Sequence, residues 1–478
     1  MRRFYVVALL FTFVSLQVFS QKLTVTEYKK ALWMTTRMYG GQRSGDGPNW
    51  LIMNHNVTNG GKTRNGVDFT GDADGTYSLS GGWHDCGDHV KFGQTEFYSA
   101  YALLIAYNAF PNGYDDYYTW NYKSYAKTND FTWEGNKHDP DTIPDILNEV
   151  KYATDYFIKC TKDASTFYYQ VGNGNYDHKN WVTSAYMATL SADNGGEPRP
   201  IGKNPNDAAM ASFCGASLAL MSNVYKKFDP TYAQICLDHA IFAYTYAKAH
   251  PGCVGAMEGA FYGADKAWED NYVCLCTELY YATGEAKYKT EALSYASKMK
   301  NHGWVLDYQN NNDLAAYNLA RLGDTTGVRL LNTFCTSYKS KVNATTGLIE
   351  IGSTWGPLRY SCNAALVLAL QGALNNSTTI DPALLGTIDY VLGKNSANQS
   401  FVVGFGTKYP TKPHHRNVYA SDANNMSSVS IPSRNIQQGY LVGGIRTPGS
   451  YPDKIDDYSS SEGGCDYNAG LVGALGYI

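Results

Sequence analysis

The hydrophobic pattern of the chain is mainly helical. Apolar side chains at positions 146, 150, 153 and 157 recur at intervals of four, three and four, and charged residues flank them. This spacing predicts an amphipathic helix with one buried face. Two other stretches, 208–221 and 364–370, are apolar at most positions, which is typical of helices buried on more than one side.

Patterns of this kind predict about twelve helices, separated by long loops rich in Gly, Asn, Tyr and Trp. The predicted helices begin near Glu27, Thr95, Pro144, Asn206, Pro230, Trp268, Ala286, Asn312, Thr326, Leu358, Pro382 and Tyr467. Strand-like stretches are short, as at 168–171 and 401–403. An all-α domain of this size with aromatic loops favours a double ring of helices. A superhelical stack of helix pairs is the alternative, although no repeat of about 30 to 50 residues is visible.

The first twenty residues predict the compartment. Residues 1–3 are basic at two positions, residues 4–16 carry no charge, and small residues precede Gln21. We therefore expect a secretory signal peptide over 1–20, with a buried N-terminal helix as the alternative. No linker or charge block interrupts residues 21–478, which are expected to form a single domain. No later segment approaches about 18 consecutive apolar residues, so we expect a secreted, extracellular protein without a membrane segment.

Composition argues against one class of partner and favours another. The formal net charge of −4 disfavours a surface that follows phosphates, so no nucleic-acid partner is expected. The chain has 40 Tyr against 18 Phe, and such an excess of amphipathic rings suits a wet, aromatic-lined surface of the kind that binds sugars. The ten cysteines are scattered without zinc-site spacing and are expected to be buried free thiols.

The densest polar cluster is the stretch 81–89, Gly-Gly-Trp-His-Asp-Cys-Gly-Asp-His. Its carboxylates Asp85 and Asp88 are bracketed by glycines, which predicts a tight loop or a helix entry. Like charges this close raise each other's pKa, and such a pair suits the sharing of a proton or the orientation of a water molecule. Two alternatives are a turn capped by the Asp side chains and a metal site formed by His84, Asp85, Asp88 and His89.

Two further clusters lie late in the chain. His414 and Arg416 stand close together in a loop and could hold hydroxyl groups or orient a carboxylate, although an exposed polar turn is the commoner role of such a pair. Between positions 451 and 468, four Asp and one Glu, including Asp453 and Glu462, lie among aromatic residues. A carboxyl held against aromatic rings loses solvation, and its pKa rises toward that of a general acid. A solvated acidic face is the alternative.

Together the clusters supply two carboxyl sites that are far apart in sequence. Tryptophans stand in or beside the loops at Trp181, Trp268, Trp304 and Trp355. One acid, one base and stacking surfaces for sugar rings are what glycoside hydrolysis requires. No G-x-S-x-G motif or phosphate-binding loop competes with this interpretation.

The sequence resembles glycoside hydrolase family nine, the inverting endo-β-1,4-glucanases with an (α/α)6 barrel and long loops that form an open substrate cleft. The resemblance covers essentially all of residues 21–478. Six segments carry it: 42–45, 80–93, 171–181, 355–360, 400–416 and 451–469. Two positions depart from the family pattern, since Cys86 stands in the place of an Ala, and Gly464 stands where Ser, Thr or Ala is usual.

The resemblance implies a role for each of twelve residues. Asp88 would be the general base that activates water, Asp85 would help to hold that water, and Glu462 would be the general acid. The family's remaining active-site positions fall on His414, Arg416 and Asp453. The sugar-binding positions fall on His178, Trp181, Trp355, Arg359, Tyr360 and Tyr458, with Arg416 also expected to contact the sugar. Inversion needs room for a water molecule between the two carboxyl groups, roughly 6.5–9.5 Å.

The implied function is that of a secreted, monomeric endo-β-1,4-glucanase that cleaves cellulose-like β-glucan polysaccharides without a catalytic cofactor. Many relatives hold a structural calcium ion near the segment that corresponds to 203–208. That segment lacks the expected Glu here, so structural calcium stays an open question. The alternatives are a related hydrolase for mixed-linkage glucan or cello-oligosaccharides, and a carbohydrate-binding protein that kept the cleft without the chemistry.

Overall fold

The computed structural model describes residues 23–45, 68–116, 140–299, 303–419 and 436–478, together with the backbone of 57–59 and 62–64. The predicted signal peptide over 1–20 lies outside the described residues.

Sixteen α-helices lie within the described residues. In chain order they are α1 (Val25–Gly41), α2 (Gly93–Ala109), α3 (Asp145–Cys160), α4 (Gly174–Asp177), α5 (Ser184–Met187), α6 (Ala208–Tyr225), α7 (Pro230–Ala249), α8 (Glu269–Thr283), α9 (Ala286–Ser294), α10 (Asn312–Arg321), α11 (Thr325–Lys339), α12 (Pro357–Leu374), α13 (Pro382–Val391), α14 (Arg416–Tyr419), α15 (Tyr458–Ser461) and α16 (Cys465–Tyr477). The twelve long ones begin within two residues of the twelve predicted starts, which confirms those predictions.

Capping side chains fix where several of these helices begin. The Thr24 side chain accepts a hydrogen bond from the Glu27 amide at 3.2 Å, and the Glu27 carboxylate accepts one from the Thr24 amide at 2.6 Å. This reciprocal capping box starts α1. Side chains of Asp207 and Asp229 cap α6 and α7 in the same way, and each such cap satisfies a donor that the helix itself leaves unpaired.

The strands are few and short. They are β1 (Val57–Asn59), β2 (Lys62–Arg64), β3 (Ala73–Asp74), β4 (Tyr77–Ser78), β5 (Lys91–Phe92), β6 (Tyr168–Val171) and β7 (Ile201–Lys203). β5, β6 and β7 form an antiparallel three-stranded sheet, which confirms the predicted strand at 168–171. The prediction of a strand at 401–403 is wrong, because the segment makes a single bridge, Val402 to Leu441, and Gly404 turns the chain with a φ of 79°.

The twelve long helices form two concentric rings. Helices α2, α6, α8, α10, α12 and α16 each contact the next in this order, and α16 returns to contact α2, which closes the inner ring. Helices α1, α3, α7, α9, α11 and α13 lie outside it. This is the predicted (α/α)6 barrel, and the alternative of a superhelical stack is wrong because the ring closes.

The two rings differ in how they bury their surface. The inner helix α6 is buried over most of its length, and 89% of its apolar stretch lies inside the fold. Among the described residues it is the one helix whose length and composition would allow it to span a membrane. The outer helix α3 buries a broad face that includes Ile146, Val150, Ala153 and Phe157, each at most 1% exposed, and leaves Lys151 and Asp155 at least partly exposed. The sequence pattern predicted both arrangements.

All ten cysteines are free thiols, and nine of them are buried, with Cys253 partly exposed. This confirms the prediction of buried free thiols. Burial in apolar surroundings raises the pKa of Cys214 well above its ordinary value, so a core thiol of this kind stays protonated and unreactive.

Candidate active site

A cleft of 420 Å³ opens at the end of the barrel where the inner helices α2, α12 and α16 begin. Seven of the twelve predicted site residues line it: Asp85, Asp88, His178, Trp355, Arg359, Tyr360 and Glu462. The other lining residues are Cys86, Phe92, Phe261, Tyr262, Tyr308 and Tyr467. The closed ring therefore brings the early and late carboxyl clusters to one cleft.

The loop that carries Asp85 and Asp88 is fastened by the end of α1. The Gln42 side-chain amide donates to the carbonyls of Cys86 at 2.7 Å and His84 at 3.2 Å, while the His84 amide donates back to the Gln42 carbonyl at 2.6 Å. The loop then closes on itself through the Asp85 amide and the Val90 carbonyl at 3.0 Å. The backbone around both carboxylates is thus held by hydrogen bonds to Gln42 and Val90.

A buried ion pair supports the same loop from the outer ring. Arg43 donates two hydrogen bonds to the carboxylate of Glu149, at 2.6 and 3.0 Å, and both side chains are fully buried. Glu149 also accepts from the indole of Trp83 at 3.2 Å. The Trp83 amide donates to Glu96 at 2.7 Å. A bidentate pair fixes orientation as well as distance, so Trp83 and the loop that follows it are rigidly placed.

Asp85 is a buried carboxylate with two hydroxyl donors. Thr95 donates to one oxygen at 2.5 Å, and Tyr262 donates to the other. Burial raises the pKa of Asp85, the charges of Asp88 and Asp466 raise it further, and the two hydroxyl groups oppose the rise. Asp85 is therefore fixed in place and holds a proton more readily than an ordinary Asp.

Asp88 faces a different set of charges. Burial raises its pKa, and Asp177 adds to the rise, but the positive charges of His178 and Arg416 lower it. The imidazole of His178 lies 3.8 Å from the Asp88 carboxylate, and Arg416 pairs with Asp177 beside it. Of the two carboxyl groups on this loop, Asp88 has the smaller rise in pKa, to about 6 against about 8 for Asp85, and so ionises more readily.

Glu462 lies between α15 and α16 and faces the same cleft. Its amide donates to the Tyr458 carbonyl at 3.2 Å, and its carbonyl accepts from the Gly443 amide at 2.6 Å. Burial raises the pKa of Glu462 well above its ordinary value, and the charges of Asp88 and Asp85 raise it further. A backbone hydrogen bond from Gly87 opposes the rise. Glu462 therefore holds its proton more readily than an ordinary Glu, as a general acid must.

Exposed aromatic rings stand on either side of the carboxyl groups. Trp355 is 47% exposed and its ring centroid lies 5.6 Å from that of Tyr458, which is 44% exposed. Across the cleft, the exposed ring of Phe261 lies 4.5 Å from the imidazole of His178. Exposed rings beside polar groups form the apolar faces on which sugar rings stack.

Four predicted sugar or active-site residues lie beside the cleft rather than in its wall: His414, Arg416, Trp181 and Tyr458. The His414 ring hydrogen-bonds the Ile455 carbonyl at 2.7 Å and lies 4.7 Å from Trp181 and 5.4 Å from Tyr458, measured between ring centroids. The His414 carbonyl also packs so closely on Gly87 that a Cβ there would lie 2.3 Å from its oxygen. His414 thus locks the acid side to the loop of Asp88.

Asp453, which the family resemblance places among the active-site positions, is bound to a neighbouring loop. It is not among the residues that line the cleft. Its carboxylate accepts hydrogen bonds from the amides of Thr411 and Lys412, at 3.0 and 2.9 Å, and from the Thr411 hydroxyl at 2.7 Å. Asp453 therefore supports the loop that leads to His414.

Sequence reasoning missed several cleft residues. Tyr262, which donates to Asp85, and Phe261 lie in a loop bracketed by Gly255, Gly259 and Gly263. Tyr308 lies in the loop before α10. Aromatic residues in glycine-rich loops were the available signal, but nothing local indicated which of the many Tyr residues would reach the cleft.

The proposed four-residue metal site does not form among the described residues. His84 and His89 pack against Phe69 in the core, and the ring of His89 is held by the Val182 carbonyl at 2.9 Å. Burial lowers the pKa of both imidazoles. The carboxyl groups belong to separate clusters: Asp85 lies with Cys86 and Asp466, and Asp88 lies with Asp177 and His178.

The segment expected to hold calcium is occupied by protein donors. The two oxygens of Asp207 accept from the amides of Met210 and Val254, each at 2.6 Å, and the Asn204 side chain accepts from the Phe167 amide at 2.9 Å. Both oxygens of the acidic group in this segment therefore accept backbone hydrogen bonds, one of which caps α6.

A closed helical barrel whose cleft holds separated carboxyl groups between exposed aromatic rings is the arrangement of a glycoside hydrolase. The family model of glycosyl hydrolase family 9 matches residues 28–475. Endoglucanase A of Fibrobacter succinogenes is 34% identical over 417 residues, which cover 84% of this chain and 88% of that protein. Endoglucanase B of Cellulomonas fimi is 29% identical over 94% of this chain, which spans 41% of that longer protein.

Solved structures agree with the family. The cellulase Cel9M of C. cellulolyticum, in complex with cellobiose, matches with a TM-score of 0.77 and 28% identity, over 94% of this chain and 97% of that one. The endoglucanase of the termite Nasutitermes takasagoensis matches with a TM-score of 0.76 and 29% identity, over 94% of this chain and 98% of that one. The chain belongs to glycosyl hydrolase family 9, and it is a glycoside hydrolase of the cellulase class.

Proposed function

We propose that this protein is a secreted, single-domain endo-β-1,4-glucanase that hydrolyses internal bonds of cellulose-like glucans with inversion. The observation that carries the proposal is the contrast between two carboxyl groups of one cleft. Burial raises the pKa of both groups, but the charges of His178 and Arg416 limit the rise for Asp88, to about 6, whereas the charges of Asp88 and Asp85 add to the rise for Glu462.

In the proposed mechanism, Asp88 removes a proton from a water molecule as that water attacks the anomeric carbon. Glu462 gives its proton to the departing glycosidic oxygen, so the bond to that oxygen breaks as the new carbon–oxygen bond forms on the opposite face. Asp85, fixed by Thr95 and Tyr262, holds the attacking water together with Asp88. Acid and base assistance of this kind contributes about 10²–10⁴-fold each.

The substrate would lie across the exposed rings. Trp355 and Tyr458 form one platform and Phe261 with His178 forms another, so glucosyl units on both sides of the cleaved bond would find an apolar face. Arg359 and Tyr360 offer donors to sugar hydroxyl groups between the platforms. The similar proteins include endoglucanases and a cellulase solved in complex with cellobiose, which supports a β-glucan substrate here. Secretion rests on the predicted signal peptide.

The anomeric form of the first product tests this proposal. Purified protein is incubated with cellohexaose, and the anomeric protons of fresh products are followed by NMR. We expect the α-anomer first, and Glu462→Gln is expected to lower kcat by about 10²–10⁴-fold while cello-oligosaccharide binding persists. Initial β-anomer would contradict inversion and the assignment of Asp88 as base.

Two outcomes of the same assay favour the alternatives. Turnover of mixed-linkage glucan well above that of carboxymethyl cellulose would indicate the related β-glucanase specificity. Binding of cellohexaose by wild-type protein without any turnover would indicate a carbohydrate-binding protein, and Glu462→Gln would then have no turnover to lose.

A further inference from the structure

The two departures from the family pattern contact each other. Cys86 and Gly464 lie at opposite ends of the described chain, yet a Cβ atom added to Gly464 would lie 2.5 Å from the Cys86 sulfur and 2.9 Å from the Asp85 carbonyl oxygen. Real Cβ atoms essentially never come closer than 3.0 Å to a heavy atom of a residue that is not their neighbour in the chain. The sulfur therefore fills the space that a side chain at position 464 would need.

The backbone does not explain why position 464 is glycine. Gly464 has a φ of −175° and a ψ of −176°, which is extended backbone that any residue adopts. The missing Cβ is required by the close approach of two groups, the Cys86 sulfur and, less severely, the Asp85 carbonyl oxygen. The residue at 86 therefore makes the nearer of the two contacts that exclude a side chain at 464.

Neither partner is free to move aside. The Cys86 side chain is buried, its sulfur lies 3.7 Å from the hydroxyl of Tyr262, and its carbonyl is held by Gln42 at 2.7 Å. The Cys465 amide donates to the Asp85 carbonyl at 2.9 Å, which ties the two loops together beside the contact. A tightly packed site of this kind transmits any added volume to its neighbours.

The neighbours are the two groups on which the reaction depends. The Cys86 amide donates to the Asp88 carboxylate at 3.3 Å, and the next residue, Gly87, donates to Glu462 through its backbone. We propose that Cys86 and Gly464 are a matched pair of positioning residues whose contact sets the separation between Asp88 and Glu462. This inference rests on the proposed function, because it needs those two residues as base and acid.

A double-mutant cycle tests the pair. Gly464→Ala is expected to lower kcat for cellohexaose by about 30-fold with KM changed less than about threefold, because the added Cβ shifts the loops rather than the sugar platforms. Cys86→Ala alone is expected to lower kcat by about fivefold, a smaller loss than that of Gly464→Ala, because it removes the contact without adding volume. The double variant C86A/G464A is expected to recover part of the loss of Gly464→Ala, since the alanine at 86 removes the sulfur that lies nearest to the new Cβ, while the Asp85 carbonyl remains.

A matched control separates this contact from general damage to α16. Gly470 lies within α16, and a Cβ added to it would lie 2.3 Å from the Asn363 side chain of α12. Its near neighbours do not include Cys86. Gly470→Ala should be destabilised in thermal unfolding, and C86A should leave that defect unchanged. If Gly464→Ala does not fold, recovery of folded protein in C86A/G464A supports the pair.

Three results would contradict the proposal that Cys86 and Gly464 are a matched pair. Gly464→Ala could show the wild-type kcat, or the double variant could be no better than Gly464→Ala in activity or folding. C86A could also rescue Gly470→Ala, which does not contact Cys86. Asp88→Asn is assayed alongside. If that variant retains turnover, the proposed function fails; if it is inactive and the cycle shows no coupling, only the positioning pair fails.

Discussion

The loops that carry Asp88 and Glu462 meet at one cleft but are held in different ways. The loop over 81–88 depends on partners far away in sequence, above all Gln42 and the fully buried pair of Arg43 and Glu149. The loop that ends at Glu462 is held by backbone hydrogen bonds. Within its own turn the amides of Ser460 and Ser461 donate to the Asp457 carbonyl at 3.0 and 2.8 Å, and from outside the turn the Gly443 amide donates to the Glu462 carbonyl at 2.6 Å.

The difference teaches where the protein needs rigidity. A general base must orient a water molecule against a fixed direction of attack, and a buried polar network keeps such geometry only if every member is satisfied. The loop of the acid is held by main-chain groups rather than by buried charges. Loss of one remote charge should therefore destabilise the fold around Asp88, whereas loss of one side chain beside the acid loop should stay local.

The largest effect is expected from breaking the buried pair. Glu149→Gln leaves the Arg43 guanidinium buried beside a neutral group, and loss of one partner of a buried ion pair costs about 3–5 kcal/mol of unfolding free energy. Urea unfolding measures this. On the same helix, the exposed pair Lys151–Asp155 supplies the control, because Asp155→Asn should change stability by about 1 kcal/mol or less. Equal effects of the two variants would contradict the comparison.

A smaller and more local effect is expected at Asp453. Asp453→Asn weakens charge-assisted hydrogen bonds to Thr411 and Lys412, each worth about 1.5–3 kcal/mol before solvent at this partly exposed site reduces the loss. We expect faster hydrogen exchange at 411–415, a kcat lowered by about tenfold, and a small change in melting temperature. A kcat lowered by more than about a thousandfold, with unchanged hydrogen exchange at 411–415, would instead indicate that Asp453 acts directly in the reaction.

The smallest effect is expected in the pH profile. Asp88 must be ionised to act as base, and His178 lowers its pKa, so His178→Gln should raise that pKa and move the acidic limb of kcat/KM to higher pH. The shift should stay below about one unit because the His178 side chain is 40% exposed and solvent screens its charge.

The neighbouring exposed cation gives the control for that shift. Lys179 hydrogen-bonds the Asp193 carbonyl and is not among the charges that act on Asp88. Lys179→Gln should therefore leave the acidic limb in place. A shift of the limb to lower pH in His178→Gln would show that His178 does not support the ionised form of Asp88.

Much of the fold and part of the site could be predicted because they depend on local patterns. Helix starts follow from caps such as Thr24 and Asp207, and the stripe at 146–157 shows which face of α3 is buried. The motif residues Asp85, Asp88 and Glu462 were recognised without knowledge of their neighbours. Asp453, by contrast, was expected among the catalytic groups because its motif places it near Glu462 in sequence, and only the loop at 411–412 reveals its partners.

The sequence by itself therefore determined the helices, their caps and the identity of the acidic residues, because each depends on side chains within a few positions of one another. The tertiary structure decided what those residues meet. Closure of the ring through α16 and α2 brings Glu462 to Asp88 and Gly464 to Cys86, places Tyr262 on Asp85, and buries Arg43 with Glu149. Such contacts join distant segments through space and volume, which local periodicity does not encode.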